Sequence, residues 1–389
     1  MEDVENVSKY RAGGFHPVSI GDEMMEGRYR VVHKLGFGGY STTWLALDTL
    51  RRQYVAVKIC SADSREESLE GGILQQLSHS NQEGTAHPGE RLGPNGYHKC
   101  LVMPPAIMTI RDAQEASHSR FFRPEIARSI VAQLVLAVDF VHSKGIVHAD
   151  IHPGNIFFRL PRGVNDLTPD EIYQRYGEPE LEIVTRTDGN EDVEMPEAEV
   201  LLGDFGESFM PSSTDRLYSN SPPSFRPPET RFPPTLLGFP ADIWSLVYLV
   251  WEVLGQRPLF ESWMATDDEV LADQVDLLGK LPFDWWTRWD ARSAFYAEDG
   301  ELGIRLAPKR PPGTVRRGWN ERLELCIQRP QREDGLDEIG EHERAALLSM
   351  LKSMLQFEPE RRATTEHLCQ SCWMERWAAP KANVVRSHP

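Results

Sequence analysis

Residues 148–155 read His148-Ala149-Asp150-Ile151-His152-Pro153-Gly154-Asn155. An aspartate and an asparagine five positions apart on a tight Pro-Gly loop suit two tasks. Asp150 can orient a hydroxyl nucleophile and accept its proton, and Asn155 can ligate a hard cation through oxygen. Leu202-Gly203-Asp204-Phe205-Gly206 adds a second carboxylate after an apolar stretch, as a magnesium ion requires when it also holds nucleotide phosphates. Upstream, Gly36-Phe37-Gly38-Gly39-Tyr40-Ser41 forms a glycine-rich turn between two β-like runs, where backbone N–H groups can approach phosphate oxygens unobstructed. Lys58 follows at the end of Val55-Ala56-Val57-Lys58, placed to reach α- and β-phosphates. Glu70, on the next helical segment, supplies a carboxylate to orient it, with Glu66 and Glu67 as alternatives. Taken singly, each aspartate reads as a cap or turn residue and the glycine turn as an ordinary hairpin; their order in one chain points to phosphoryl transfer.

The elements that must position these groups divide into a strand-rich front and a helix-rich back. Arg28–Leu35, Thr42–Leu47 and Tyr54–Ile59 are β-branched or aromatic runs around the glycine turn. Residues 64–77 switch to helical period, with Leu69, Ile73, Leu74 and Leu77 on one face. From about residue 120 the pattern is mostly helical, with Arg123–His142 amphipathic and Ala241–Leu254 apolar all round, hence buried. The expected class is α+β, with a small β-rich lobe and a larger helical lobe. The expected boundaries are an N-terminal extension over 1–28, lobes over 29–104 and 105–377, and a tail over 378–389.

Composition sets the surroundings. The 389 residues carry 42 Lys+Arg against 59 Asp+Glu, a net charge of −17. Nucleic acid is a poor partner for such a chain, because phosphate binding draws on surplus cations, whereas a basic protein substrate fits. Twelve acids and four arginines between 159 and 200 give that stretch a net −8, the pattern of a solvated insertion or of a contact surface for basic sequence. The five cysteines, Cys369-x-x-Cys372 among them, read as reduced structural thiols rather than a disulfide or zinc framework. No basic and apolar leader opens the sequence, and the apolar stretches near Val131–Val141 and Ile243–Leu254 fall short of the roughly 20 residues that span a bilayer. The expectation is a cytoplasmic or nuclear protein that does not engage a membrane; the basic run 308–317 reads as a loop or a weak nuclear-import patch.

The order of glycine turn, V-A-x-K, helix glutamate, H-x-D-x-x-x-x-N, D-F-G and P-P-E resembles a eukaryotic-type protein kinase. Asp242-Ile243-Trp244-Ser245 resembles that family's helix-opening motif, whose aspartate braces the catalytic loop, and Arg362 resembles the late arginine that pairs with the P-P-E glutamate, here Glu229. Phe225-Arg226-Pro227-Pro228-Glu229 is similar to the Y-R-x-P-E of the CMGC group. Gly13-Gly14-Phe15-His16-Pro17, Gly27-Arg28-Tyr29 and Lys34-Leu35-Gly36 narrow the resemblance to the SR-protein kinases, as does Leu277-Leu278-Gly279-Lys280-Leu281-Pro282; it covers roughly residues 8–377.

This resemblance implies a bilobal kinase fold, ATP, Mg²⁺, and transfer to serine in basic Arg/Ser-rich proteins by a monomer. It implies Asp150 as base, with Lys58, Asn155 and His152 in the catalytic set. The nucleotide would lie against Gly36, Phe37, Gly38, Gly39, Tyr40, Ser41, Lys58, Glu70, the gatekeeper position Met103 and Ala106, and the metal against Asn155 and Asp204. Asp267-Asp268-Glu269 falls where the family places acidic docking residues, although a helix cap explains the same letters.

Three departures bear on activity. Ala149 replaces the H-R-D arginine that pairs with an activation-loop phosphate, so activation by phosphorylation is not expected; the SR-protein kinases lack it too. His152 stands where Ser/Thr kinases carry a lysine that steadies the γ-phosphate, and an imidazole offers a weaker, pH-dependent charge. Pro104 and Pro105 leave the hinge fewer backbone donors for adenine. Two alternatives follow: a pseudokinase that binds ATP without efficient transfer, and a small-molecule kinase sharing H-x-D-x-H-P-G-N, against which D-F-G, P-P-E and D-I-W-S argue.

Overall fold

Alternation along Gln53–Cys60 sends Val55, Val57 and Ile59 to one face of a strand and Tyr54, Ala56 and Lys58 to the other. The computed structural model, which describes residues 5–64, 69–78, 87–176, 198–260, 266–296 and 317–380, uses that alternation to build the first of two units. Its sheet contains β1 (Glu23–Met24), β2 (Tyr29–Phe37), β3 (Ser41–Asp48), β4 (Gln53–Cys60), β5 (His87–Gly93) and β6 (Gly96–Met103), in the antiparallel order β1-β2-β3-β4-β6-β5. Tyr29, Val31, Trp44, Ala46, Val55, Val57, Ile59, Cys100 and Val102 form the core on one face, with Met24 and Val18 of the N-terminal extension packed on it. Helix Glu70–Ser78 buries Ile73 and Leu77 and places Glu70 at its first turn. Glu66 and Glu67 lie outside the described residues, as do positions 177–197 of the acidic stretch and 308–316 of the basic one.

The acidic insertion is not simply a solvated surface. Its described part clips onto the first unit, which contains residues 1–108 and 157–197, rather than joining the larger lobe as the sequence division has it. Val164 and Ile172 are buried against Val32, Leu45 and Tyr54. Asn165 Oδ1 accepts the Tyr54 N–H at 2.9 Å, the Tyr54 hydroxyl donates to Leu167 O at 3.0 Å, and the Tyr173 hydroxyl donates to Val32 O at 2.6 Å. Helix Pro169–Tyr176 carries only Asp170 and Glu171 of the twelve acids, and the apolar positions of this described part decide where it sits.

The second unit, residues 109–156 and 198–389, is helical. Helix Pro124–Ser143 is long and apolar enough, by length and composition, to cross a bilayer. Its apolar stripe (Ala127, Ile130, Val131, Leu134, Val138) is buried in the core of the unit. Helix Phe239–Leu254 is buried nearly all round, as its unbroken apolar run requires. None of the five cysteines, all among the described residues, is in a disulfide, and Cys372 is exposed. Replacing Ile172 with Ala should lower stability by about 2–4 kcal/mol in urea denaturation, because the clip loses its buried anchor; an unchanged midpoint would contradict this packing.

Candidate active site

In the first unit, Lys58 Nζ lies 2.8 and 3.0 Å from the two carboxylate oxygens of Glu70, so Glu70 is the partner among the sequence candidates that the described residues show. Antiparallel pairing sets Lys58 opposite Thr43 and Leu101, and Ala56 opposite Met103. The glycine turn closes through Gly38 N–H donating to Ser41 O at 2.8 Å. A Cβ added at Gly36 or Gly39 would meet nothing within 4 Å, so packing within the fold does not demand glycine there. Phe37 and Tyr40 at this turn are exposed, while Met103 and Ala106 are half-buried on either side of Pro104-Pro105. The carbonyl of Pro105 accepts the Leu160 N–H at 2.9 Å.

In the second unit the reactive loop is held from below. Asp242 accepts the N–H groups of His148 and Ala149 at 2.7 and 2.8 Å and lies 2.9 Å from His142 Nε2. Ala149 is thereby fixed at φ 66°, a left-handed conformation that alanine adopts only at a cost. Burial lowers the pKa of His148, which is neutral: its Nδ1 accepts the Asp150 N–H at 3.3 Å and its Nε2–H donates to Gly203 O at 3.0 Å. Gly203 N–H in turn donates to Asn155 O at 2.9 Å, which brings Asp204 beside Asn155.

Asn155 Nδ2 donates to Asp150 O and Oδ2, each at 2.9 Å, which orients its Oδ1, the hard oxygen donor, away from that contact. A Cβ at Gly206 would come within 3.3 Å of Asp204 Oδ1, so glycine keeps room around that carboxylate. An amide oxygen and a carboxylate so placed fit a magnesium ion. Burial pushes the Asp150 carboxyl up, but contacts from His152, Ser221 and Asn155 outweigh it and hold the group below the usual carboxylate range. Asp150 Oδ1 is buried without a hydrogen-bond partner. His152 Nδ1 accepts the Gly154 N–H at 3.0 Å, so its proton sits on Nε2, 3.6 Å from Asp150 Oδ2. The imidazole is therefore tied to the loop and directed at the base.

The activation segment carries residues that sequence reading missed. Glu207, next after D-F-G, forms an ion pair with Arg216 and accepts both Asn220 Nδ2 contacts at 3.0 Å. Arg216 also donates from Nε to Tyr218 O at 3.0 Å and stacks on the Tyr218 ring at 4.7 Å. Ser221 Oγ donates to Ala149 O at 2.9 Å, and Ser208 Oγ to His148 O at 3.0 Å. These bonds fix the segment next to Ala149. Lower down, Arg362 meets Glu229 at 2.8 and 2.6 Å, the buried pair that the motif implies.

Two of the three acidic docking positions are internally engaged. Glu269 caps its own helix with Thr266, the Thr266 N–H donating to Glu269 at 2.8 Å. Asp268 Oδ1 takes Arg231 Nη2 at 2.5 Å and the Trp289 indole N–H at 2.9 Å. The helix-cap reading thus accounts for Glu269, while Asp268 is taken by tertiary contacts. A further, half-buried acid had no signal in the sequence: burial pushes the Glu252 carboxyl up to about 7, against a weaker lowering by Arg111.

Two outcomes follow. Arg216→Ala should lower turnover about tenfold or more and, because it leaves Glu207 without its cation, lower the melting temperature too, while phosphatase treatment of the wild type leaves turnover as it was. Because the folded chain binds the Glu252 proton more tightly than the unfolded chain, stability should fall as pH rises from 4.5 to about 7. Glu252→Gln should therefore melt higher than wild type at pH 8 and alike near pH 4.5; an equal offset at both values would show that charge is not the cause.

Comparison with known proteins agrees with this geometry. The protein kinase domain family matches residues 29–374. The chain is 27% identical over 398 residues to a serine/threonine protein kinase of Aspergillus fumigatus, covering 95% of this chain and 90% of the relative. It is 25% identical over 414 residues to the serine/threonine-protein kinase SRPK of Physarum polycephalum, with 95% and 91% covered. The human SRSF protein kinase 3 is 31% identical over 167 residues, 40% of this chain and 29% of that protein. A kinase-domain crystal structure superposes with a TM-score of 0.62 at 17% identity, covering 92% of this chain and 98% of that one, and shows the shared fold. The chain belongs to the protein kinase family, as a serine/threonine protein kinase similar to the SR-protein kinases.

Proposed function

We propose that this kinase transfers the γ-phosphate of ATP, with Mg²⁺, to serine in basic Arg/Ser-rich proteins, acting as a monomer in the cytoplasm or nucleus. The observation that carries the reading is Asp150: its carboxyl is held ionised, Asn155 fixes Oδ2, and Oδ1 lies buried with no partner. An atom so prepared suits the hydroxyl of a substrate serine, which it can orient and deprotonate. Lys58, held by Glu70, would bind nucleotide phosphates together with the N–H groups of the glycine turn. Asn155 and Asp204 would hold magnesium, which when bound supplies positive charge against those phosphates. Positioning and charge, rather than covalent chemistry, are what these side chains contribute. The net charge of −17 favours an arginine-rich substrate, and the similarity to SRPK and to SRSF protein kinase 3 supports the same class.

The His152 geometry favours one competitor, an ATP-binding module with weak transfer. With its Nδ1 accepting the Gly154 N–H, this imidazole is tied to its own loop at the position where a lysine would stand. Labelled γ-phosphate transfer to an Arg-Ser repeat peptide separates the two readings. Wild type should transfer, and Asp150→Asn should lose about 10²- to 10⁴-fold in turnover while still binding Mg-ADP. Binding of peptide and nucleotide with no transfer by wild type would establish the module instead.

A further inference from the structure

The glycine turn is gripped by the N-terminal extension through a residue whose letter carries no family signal. Lys9 Nζ donates to the carbonyl of Gly39 at 2.6 Å and lies 5.7 Å from the centroid of the Tyr40 ring and 5.4 Å from that of Phe15. The next carbonyl, that of Tyr40, accepts the Ser61 N–H at 2.8 Å. Two successive peptide units at the tip of the turn are thus held by their oxygens. A peptide unit is planar and trans, so fixing its C=O in one direction fixes its N–H in the opposite one. With Gly39 O drawn to Lys9 and Tyr40 O to Ser61, the N–H groups of Tyr40 and Ser41 are set before any ligand arrives. Backbone N–H groups whose directions are set in this way can meet phosphate oxygens without reordering.

The sequence around Lys9 is built for this contact. Phe15 N–H donates to Lys9 O at 2.8 Å, closing a turn over residues 9–15. At Gly14 an added Cβ would come within 1.8 Å of Lys9 O, and at Gly13, where φ is +81°, within 2.1 Å of Asp63 Oδ1. Only glycine allows the chain to fold back that closely. Gly13 N–H donates to Asn95 O at 2.8 Å, and Asp63 N–H to Gly13 O at 2.7 Å, so the turn is fastened to the sheet as well. The extension therefore presents the Lys9 ammonium from a rigid base. Its charge makes the bond to Gly39 stronger than a neutral one.

We propose that Lys9 is a positioning residue for nucleotide binding, acting through the Gly39 and Tyr40 peptide units. This rests on the reading of the glycine turn as the phosphate cradle. Lys9→Met keeps the apolar stem beside Phe15 and removes the donor; Lys9→Arg keeps a cationic donor. Mg-ADP affinity by calorimetry, and the KM for ATP alongside kcat, give readouts that a merely structural role would not move selectively. Expected is about a fivefold loss of Mg-ADP affinity and a matching rise in KM for Lys9→Met, with kcat within twofold, an unchanged melting temperature and substantial recovery in Lys9→Arg. Equal affinity for wild type and Lys9→Met would overturn the proposal, as would a loss in Lys9→Arg as large as in Lys9→Met. Should wild type bind no Mg-ADP, the nucleotide reading itself falls, and this inference with it.

Discussion

Ala149 sits at φ 66°, and the chain holds it there because the Asp242 carboxylate accepts the N–H groups of both His148 and Ala149. The remaining geometry of the second unit follows from that constraint. His148 is aligned to bond Gly203, Gly203 bonds Asn155, and Asn155 holds Asp150. Asp242 is buried at the first turn of helix Phe239–Leu254, where the helix dipole favours a negative charge. A strained loop and a long apolar helix are therefore coupled through one side chain. This explains why an otherwise apolar run begins with an aspartate.

A second theme is charge pairing within the activation segment, where Glu207 meets Arg216 through the chain's own sequence. The resulting contact is partly buried, with Arg216 8% exposed, so solvent screens it less than a surface pair. The same economy of charge recurs at Asp268, whose oxygen meets Arg231 and Trp289. An acidic composition thus does not translate directly into an acidic docking face. Net charge describes the chain, whereas the available charge depends on which acids have already found partners.

Much of the site was legible because its residues lie close in sequence and their spacing matters locally. Asp150 and Asn155 share one loop, and the strand alternation that presents Lys58 follows from residues 53–60 alone. The Lys58–Glu70 pair was readable from the strand and the helix that follows it, whereas the Arg362–Glu229 pair was readable only through the resemblance to kinases, since nothing local connects residues 133 apart. What stayed hidden rests on contacts between distant segments whose letters are individually unremarkable. Lys9 on Gly39, Asn165 on Tyr54 and Arg231 on Asp268 are of this kind. His152 was visible as a departure, but its tautomer depends on the Gly154 N–H, which only the folded loop provides.

The clip formed by residues 160–176 also bears on how the protein is made. The first unit draws on residues 1–108 and again on 157–197, with the chain passing through the second unit in between. A ribosome reading from the N-terminus releases all six strands before it releases Val164, Asn165 and Ile172, which cover Tyr54 and Leu45. At synthesis rates of about 5–20 residues per second, the uncovered apolar face persists for several seconds. During that interval the nascent sheet is a natural client for chaperones that hold exposed apolar surface.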